Sequence, residues 1–312
     1  MATAFLFPGQ GSQSVGMGYE LYEQHEEARA RFDAANALLD IDLLTLMFGL
    51  ESTVSDPEEA LKQTEVTQPA LYTHSLAAMA VLDAKGVAPD MVAGHSLGEY
   101  SALAAAGALS FEDGLRVVRR RGELMGKAGD RRPGTMAAVL GADDDHVQAV
   151  CDDISADGDV VVQPANYNAP GQIVISGDED AVARATNEIE GRCMPLPVSG
   201  AFHSPLMTYA REGLAEMLDT VSIEPPRCPV YPNVTAEPTT DPDEIRQRLT
   251  EQLLSPVQWA QTLRRMHADG ATRFVEVGAG QVLQGLVGRT LGSEVDAIGA
   301  STPEEIARLG SA

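Results

Sequence analysis

Apolar residues along the chain fall into short runs and helical stripes that take turns, and this alternation is the first signal of fold. Residues 4–7 read as a short buried strand that stops at Pro8-Gly9. Residues 20–48 carry helical signals and end in the dense cluster Ile41, Leu43, Leu44, Leu46, Met47 and Phe48. The spacing of Leu71, Ser75, Ala78, Met79 and Leu82 predicts a helix over 70–84, opened by Pro69 and ended by Gly86 and Pro89. A strand at 91–93 leads into a helix over 97–106, and Ser110 caps a further helix over 112–127. Helices and strands in this order predict an α/β fold with helical crossovers.

Beyond the linker at 129–134 the rhythm changes. Strands at 136–140, 160–162 and 172–176, helices at 144–151 and 180–190, and an extended piece at 193–198 follow in the order β-α-β-β-α-β. That is the split βαβ unit, which predicts a small domain over 129–198 inserted in a large one over 1–128 and 199–312. In the resumed domain Ser204-Pro205 opens a helix striped by Leu206, Met207, Ala210, Leu214, Met217 and Leu218. The proline-flanked segment 228–232 fits an edge strand. Helices at 242–253 and 256–268, strands at 273–277 and 295–298, and a helix at 303–309 close the chain.

With 312 residues, 44% of them hydrophobic, the chain can bury a large core. Its formal charge of −24 argues against nonspecific nucleic-acid binding. Lys62, Lys85 and Lys127 are its only lysines. The apolar start is too short for a signal peptide, and no run reaches the length of a membrane span, so a cytoplasmic protein is expected. Cys151, Cys193 and Cys228 lack disulfide or zinc spacing and read as buried free thiols; no metal is implied.

The strand at 91–93 ends in Gly94-His95-Ser96-Leu97-Gly98, a Gly-x-Ser-x-Gly pattern at a strand-to-helix turn. Such a turn presents a serine hydroxyl beside the unpaired N–H groups at a helix start, where an oxyanion can be held. Leu97 would give one N–H; Gln10, in the Pro8-Gly9-Gln10-Gly11 loop, could give another. A serine nucleophile needs a base. His25, His146 and His267 lie in polar helical settings, His74 sits inside a helix, and His95 diverges from its neighbour Ser96. His203, in a loop before a helix, remains. Asp178 and Asp180 fall between serine and histidine in chain order, but capping explains them, and no third triad member stands out. A backbone carbonyl or amide oxygen could orient His203 instead. Of the arginines at 116, 119, 120 and 121, the first three read as solvated. Arg121 precedes Gly122 and reads either as surface charge or as a ligand for a carboxylate.

Taken together, Phe7-Pro8-Gly9-Gln10-Gly11-Ser12-Gln13, Gly94-His95-Ser96-Leu97-Gly98-Glu99-Tyr100, Arg121-Gly122, Asn166-Tyr167-Asn168-Ala169-Pro170-Gly171-Gln172, Ala201-Phe202-His203-Ser204, Tyr231-Pro232-Asn233-Val234, Gln252 before Pro256-Val257-Gln258-Trp259, and Glu276-Val277-Gly278-Ala279-Gly280 resemble the malonyl-CoA:acyl carrier protein transacylases of bacterial fatty-acid synthesis, relatives of polyketide synthase acyltransferase domains. The resemblance spans almost the full length. It implies a large α/β-hydrolase-like domain interrupted by a small ferredoxin-like one. By motif it implies Ser96 as nucleophile, His203 as base and acid, and Gln10 and Leu97 N–H groups as oxyanion hole. Arg121 would pair with the malonyl carboxylate, Gln252 would hold His203 through its backbone carbonyl, and Phe202 would discourage a branched acyl group. His95, Asn166, Gln172 and Asn233 would line or organise the site. Malonyl-CoA is the implied donor and phosphopantetheinylated acyl carrier protein the acceptor; no permanently bound cofactor is implied, and a monomer is expected. A free-standing chain leans toward fatty acids, with a polyketide pathway or a serine thioesterase as alternatives. Gln281 stands where many members carry lysine, so the basic residues between Arg116 and Arg132, Arg119 and Arg131 among them, together with Arg289 are candidates for docking an acidic carrier protein.

Overall fold

The computed structural model describes residues 2–50, 56–156, 158–198 and 200–310. Ser199, where the return to the large domain is expected, lies outside the described residues. Strand β1 (Ala2–Phe7) is followed by α1 (Tyr19–Gln24), α2 (Glu26–Leu38), α3 (Leu43–Phe48) and α4 (Pro57–Lys62). The helical signals at 20–48 resolve into three helices. They break at His25, whose backbone is extended, and again at Leu39.

Helix α5 (Thr64–Ala84) begins well before the expected residue 70, with Pro69 inside it. A proline there removes the N–H that would reach the carbonyl four residues back. The orphaned carbonyl is that of Glu65, and Arg119 Nη1 donates to it at 2.9 Å. A side chain from another helix therefore lets α5 run through its proline. Arg119 also pairs with Asp40 and Glu123, so its charge is already matched.

Next come β2 (Met91–Gly94), α6 (Gly98–Ala105) and α7 (Phe111–Arg131), the last opened by Ser110 accepting from the Asp113 N–H. The β-α-β-β-α-β stretch consists of β3 (Thr135–Leu140), α8 (Asp144–Ser155), β4 (Val162–Ala169), β5 (Gln172–Gly177), α9 (Glu179–Glu188) and β6 (Arg192–Pro195). Strand β4 runs on to residue 169, although Pro164 and its polar neighbours hide it in sequence. It is the edge of its sheet, where a missing N–H is tolerated, and its register shifts at the proline. Asp178 makes no side-chain cap for α9. Its carboxylate instead takes the Val161 N–H and two bonds from Arg132.

After a 3-10 turn at Pro205–Met207, where Ser204 Oγ accepts from the Leu206 N–H, come α10 (Thr208–Leu218) and β7 (Val230–Tyr231). Then follow α11 (Pro242–Gln252), α12 (Trp259–Ala268), β8 (Ala271–Val277), α13 (Val282–Leu291), β9 (Asp296–Ala300) and α14 (Pro303–Leu309). The expected helix over 256–268 starts only at Trp259, because Val257 is used as strand: it exchanges backbone bonds with Ala165 and Tyr167 of β4.

The larger sheet is parallel throughout, in the order β7-β2-β1-β8-β9. The smaller is antiparallel, in the order β4-β5-β3-β6. Strand β1 lies mid-sheet with Phe5 and Phe7 fully buried in the main core cluster, and Ala4 and Leu6 on the opposite face in the Trp259 cluster. Cys151 is a buried free thiol as expected, whereas Cys193 and Cys228 are only partly buried. Among the described residues no helix is long and apolar enough to cross a membrane.

At the end of β8, buried Glu276 accepts the N–H groups of Leu283 and Gln284 in the first turn of α13. That accounts for the acidic residue before Gly278-Ala279-Gly280. Replacing Glu276 with alanine strands one buried and one part-buried donor and should cost about 1–2 kcal/mol, a Tm loss of a few degrees in thermal unfolding; an unchanged Tm would contradict the capping role.

Candidate functional site

The site lies at the carboxyl ends of β1 and β2, the edge at which parallel α/β sheets open a crevice. A side chain on Gly94 would overlap the Gly98 backbone, and one on Gly98 would overlap the Phe7 carbonyl. These two glycines let the chain double back between β2 and α6. Ser96 is forced to φ 51°, a left-handed conformation costly for a non-glycine residue. The turn is held from outside by Asn233, whose Oδ1 accepts the Ser96 N–H at 2.7 Å and whose Nδ2 donates to the Gly94 carbonyl at 2.6 Å.

Ser96 Oγ lies 2.8 Å from His203 Nε2, and His203 Nδ1 lies 2.9 Å from the Gln252 carbonyl oxygen. The carbonyl can only accept, so Nδ1 carries the proton and Nε2 is free to accept from the serine. Burial, followed by the Arg121 charge, pushes the His203 pKa down to about 3. The imidazole is therefore neutral at neutral pH, the form a base requires. His203 also has positive φ, 57°, and Gln163 Nε2 donates to its carbonyl at 2.8 Å and to that of Leu254 at 3.2 Å.

Arg121 is 1% exposed, not the surface charge that an arginine-rich helix suggests. Its guanidinium donates to three neutral oxygens: Gln68 Oε1 at 3.0 Å, Ser96 Oγ at 3.2 Å and Gln252 Oε1 at 2.9 Å. It also lies over the Tyr100 ring, 5.5 Å from the centroid. A cavity of about 110 Å³ opens against it, lined by Gln10, His95, Ser96, Leu97, Arg121, Asn166, Phe202 and His203, with Met125, Met136, Leu196 and Val198 as its apolar wall.

Of the residues expected at the site, Asn233 and Gln252 are buried behind this lining and act on it through hydrogen bonds. Gln172 does not join them: at the start of β5 it accepts from Arg289 Nη1 at 2.6 Å, away from the cavity. A hairpin motif gives its residues a register, not a direction, so sequence could not foresee this. His95 turns from Ser96 to Asn168, Nε2 to Oδ1 at 2.7 Å, and packs edge-on against Trp259; burial lowers its pKa. Of the residues considered for carrier docking, Arg131 stacks on Tyr209 at 3.8 Å.

Sequence reasoning missed Glu99 and Gln68. Glu99 is buried one turn beyond Ser96, accepting from the Asn233 N–H at 3.0 Å and Gln252 Nε2 at 2.8 Å. An acidic residue in a first helical turn passes for ordinary capping, and only its full burial sets it apart. Gln68 donates to Met125 Sδ at 3.2 Å while receiving Arg121, so it ties the apolar wall to the cation; its sole sequence cue is its place before Pro69.

A hydroxyl on a strained turn, a neutral imidazole to take its proton and a fixed cation across a small cavity suit transfer of an anionic acyl group through serine. That chemistry, on a parallel α/β sheet, belongs to the acyl transferases. The model of the acyl transferase domain family matches residues 4–307. The chain is 46% identical over 307 residues to the malonyl CoA-acyl carrier protein transacylase of Bacillus subtilis, covering 97% of this chain and 94% of that one. A transacylase structure from Xanthomonas oryzae pv. oryzae superposes with a TM-score of 0.91 at 43% identity, over 99% of this chain and 98% of the other. A malonyl-transacylase solved with a type II polyketide acyl-carrier protein gives 0.92 at 34% identity, over 100% and 99%. The chain belongs to the acyl transferase family, among its malonyl CoA-acyl carrier protein transacylases.

The depressed pKa of His203 fixes a sign. Between about pH 6.5 and 3 an unfolded histidine takes up a proton that the folded site refuses, so this residue removes stability as pH falls through that window. Urea unfolding at about pH 7.5 and 5 should show the native protein losing ground on acidification relative to His203→Gln; a gain would contradict the neutral assignment.

Proposed function

We propose that the protein moves a malonyl group from malonyl-CoA, through an ester on Ser96, to the phosphopantetheine thiol of acyl carrier protein in fatty-acid biosynthesis. The observation that carries this reading is the buried Arg121 guanidinium sharing Ser96 Oγ with His203. In the first half-reaction His203 Nε2 takes the serine proton as Oγ attacks the thioester carbonyl, and returns it to the departing CoA thiolate. In the second the carrier thiol gives its proton to His203, attacks the serine ester, and Ser96 recovers the proton. Gln252, through its carbonyl, keeps the imidazole in one tautomer. The N–H groups of Gln10 and Leu97, both at the cavity, would hold the oxyanion.

The malonyl carboxylate would replace neutral oxygens as the partner of Arg121, gaining the two-toothed geometry a guanidinium favours. An acetyl group leaves that cation as it is in the free protein. Phe202 and the Met125–Met136 wall leave little room beside the α-carbon, which disfavours a methyl branch by about 1–3 kcal/mol. Asn233 acts on the turn and not on substrate, and His95 and Asn166 flank the acyl group. The same reading assigns two domains, a hydrolase-like one over 1–128 and 199–312 and a ferredoxin-like one over 129–198. The antiparallel order β4-β5-β3-β6, from a β-α-β-β-α-β stretch, supports the second. It needs no resident cofactor and has the protein working as a cytoplasmic monomer.

Intact mass after brief exposure to malonyl-CoA should show one malonyl adduct on the native protein and none on Ser96→Ala; an adduct on both would reject the nucleophile. Arg121→Ala should lose about 2–5 kcal/mol of the preference for malonyl over acetyl loading. An unchanged preference would remove the cation from the selection of donors. CoA release should depend on carrier protein after the first turnover, whereas equal release without it would point to hydrolysis.

A further inference from the structure

Glu99 is the one group in this shell that carries a carboxylate, and the transfer chemistry makes no direct use of it. It lies at the end of a chain of hydrogen bonds: Arg121 Nη2 donates to Gln252 Oε1 at 2.9 Å, and Gln252 Nε2 donates to Glu99 Oε2 at 2.8 Å. The same Nε2 reaches the Ser96 carbonyl at 3.0 Å, and the Asn233 N–H reaches the same Glu99 oxygen at 3.0 Å. The Glu99 carboxylate and the Ser96 carbonyl together fix which way the Gln252 amide faces. Oε1 must point at the guanidinium, since an Nε2 there would set donor against donor.

The geometry points to Glu99 as a positioning residue and internal counter-charge for the acyl-carboxylate site, so that seating an anionic acyl group on Arg121 is coupled to protonation of Glu99. The inference rests on the proposed malonyl transfer. Its physical basis is that the guanidinium, out of water, has no carboxylate bonded to it among the described residues; burial depresses its pKa against the pull of Tyr100 and then Glu99, and because burial keeps the Tyr100 hydroxyl protonated at neutral pH, Glu99 is the group left to carry negative charge there. A second carboxylate brought to Arg121 by the donor competes with Glu99 for the same cation. In so dry a setting two anions around one cation favour uptake of a proton by the weaker acid.

Among the described residues Arg121 is the charged group that acts on Glu99 through space; the other charged residues of α5 and α7, among them Glu65, Asp83, Glu112, Asp113, Arg116, Arg119, Arg120, Glu123 and Lys127, lie on those helices without entering its hydrogen bonds. Strands β1 and β2 hold no titratable side chain. On α5, burial keeps Tyr72 protonated and His74 neutral, the latter with a pKa of about 4. Tyr100 beside Glu99 is raised by burial, and His95 and His203 are lowered and neutral. Burial raises Glu99 itself to about 7, against the pull of its two N–H donors and Arg121. It sits at the edge of ionisation, where a nearby anion tips it.

The sign follows. Below about pH 7 Glu99 is protonated, Arg121 is uncompensated and an anionic acyl group gains most. Above it Glu99 is ionised and the gain shrinks. The test measures the efficiency of Ser96 loading by malonyl-CoA and by acetyl-CoA between about pH 6 and 8. Their ratio is the readout, because the coenzyme with its own titrating phosphates is common to both donors. In the native protein the malonyl-to-acetyl ratio should fall about fivefold across this range, the part of a one-unit coupled pKa shift that is expressed between about pH 6 and 8. In Glu99→Gln the side-chain oxygen can still accept both bonds, so the ratio should be flat and, at pH 8, higher than in the native protein. A merely structural role predicts no such gain.

A pH-independent ratio in the native protein overturns the inference, whatever the variant does. A sloping ratio that Glu99→Gln leaves unchanged overturns it as well, by assigning the titration elsewhere. If neither donor forms an ester on Ser96, it is the reading of the site that fails, an outcome distinct from normal loading with a flat ratio.

Discussion

The cost of holding a guanidinium out of water governs the layout of this molecule. An unpaired cation in a protein interior is strongly unfavourable, and an ion pair within bonding distance would quench it. Arg121 avoids both extremes by taking neutral oxygens from Gln68 on α5, Ser96 at the turn and Gln252 at the end of α11, and by resting on the Tyr100 ring. Three separate segments must converge for this. All three also belong to the proposed site, since Gln68 touches the cavity wall through Met125, Ser96 meets the imidazole, and the Gln252 carbonyl lies at the other ring nitrogen. Charge solvation and catalytic geometry are therefore one network.

The backbone shows a similar sharing of parts. Ser96 and His203, the two residues that meet at 2.8 Å, both have left-handed φ. The strain is kept by neighbours that cannot yield: the bare glycines at 94 and 98, the Asn233 clamp on the turn, and Gln163 on the His203 carbonyl. Substrates would thus meet a serine and a base already aligned, so little rearrangement is needed during reaction.

Much of this was legible in sequence where local rules apply. The strand-to-helix turn at Ser96 follows from its glycines, the β-α-β-β-α-β order from alternating periods, and the short edge strand at 230–231 from its flanking prolines. What escaped depends on distant partners. The extension of α5 through Pro69 needs Arg119 from α7, and the length of β4 needs Val257. Glu99 was hidden because an acid near a helix start is commonplace; Arg121 was named, but its full burial was not legible beside Arg116, Arg119 and Arg120 on the same helix. Gln172 was misdirected because its motif lies on a hairpin whose far end contacts α13 and not the cavity. Motifs reported which residues matter as a group; burial and bond direction sorted them into lining, support and bystander.

Strand β4 belongs to the smaller sheet, yet it is stitched to Val257 just before α12, and Gln163 from it reaches the main chain of His203. The two sheets are therefore not interchangeable parts. A chimaera that borrows the smaller sheet from another acyl transferase also replaces the side chain that holds the His203 carbonyl, so the graft must bring its own equivalent of Gln163 at the same reach.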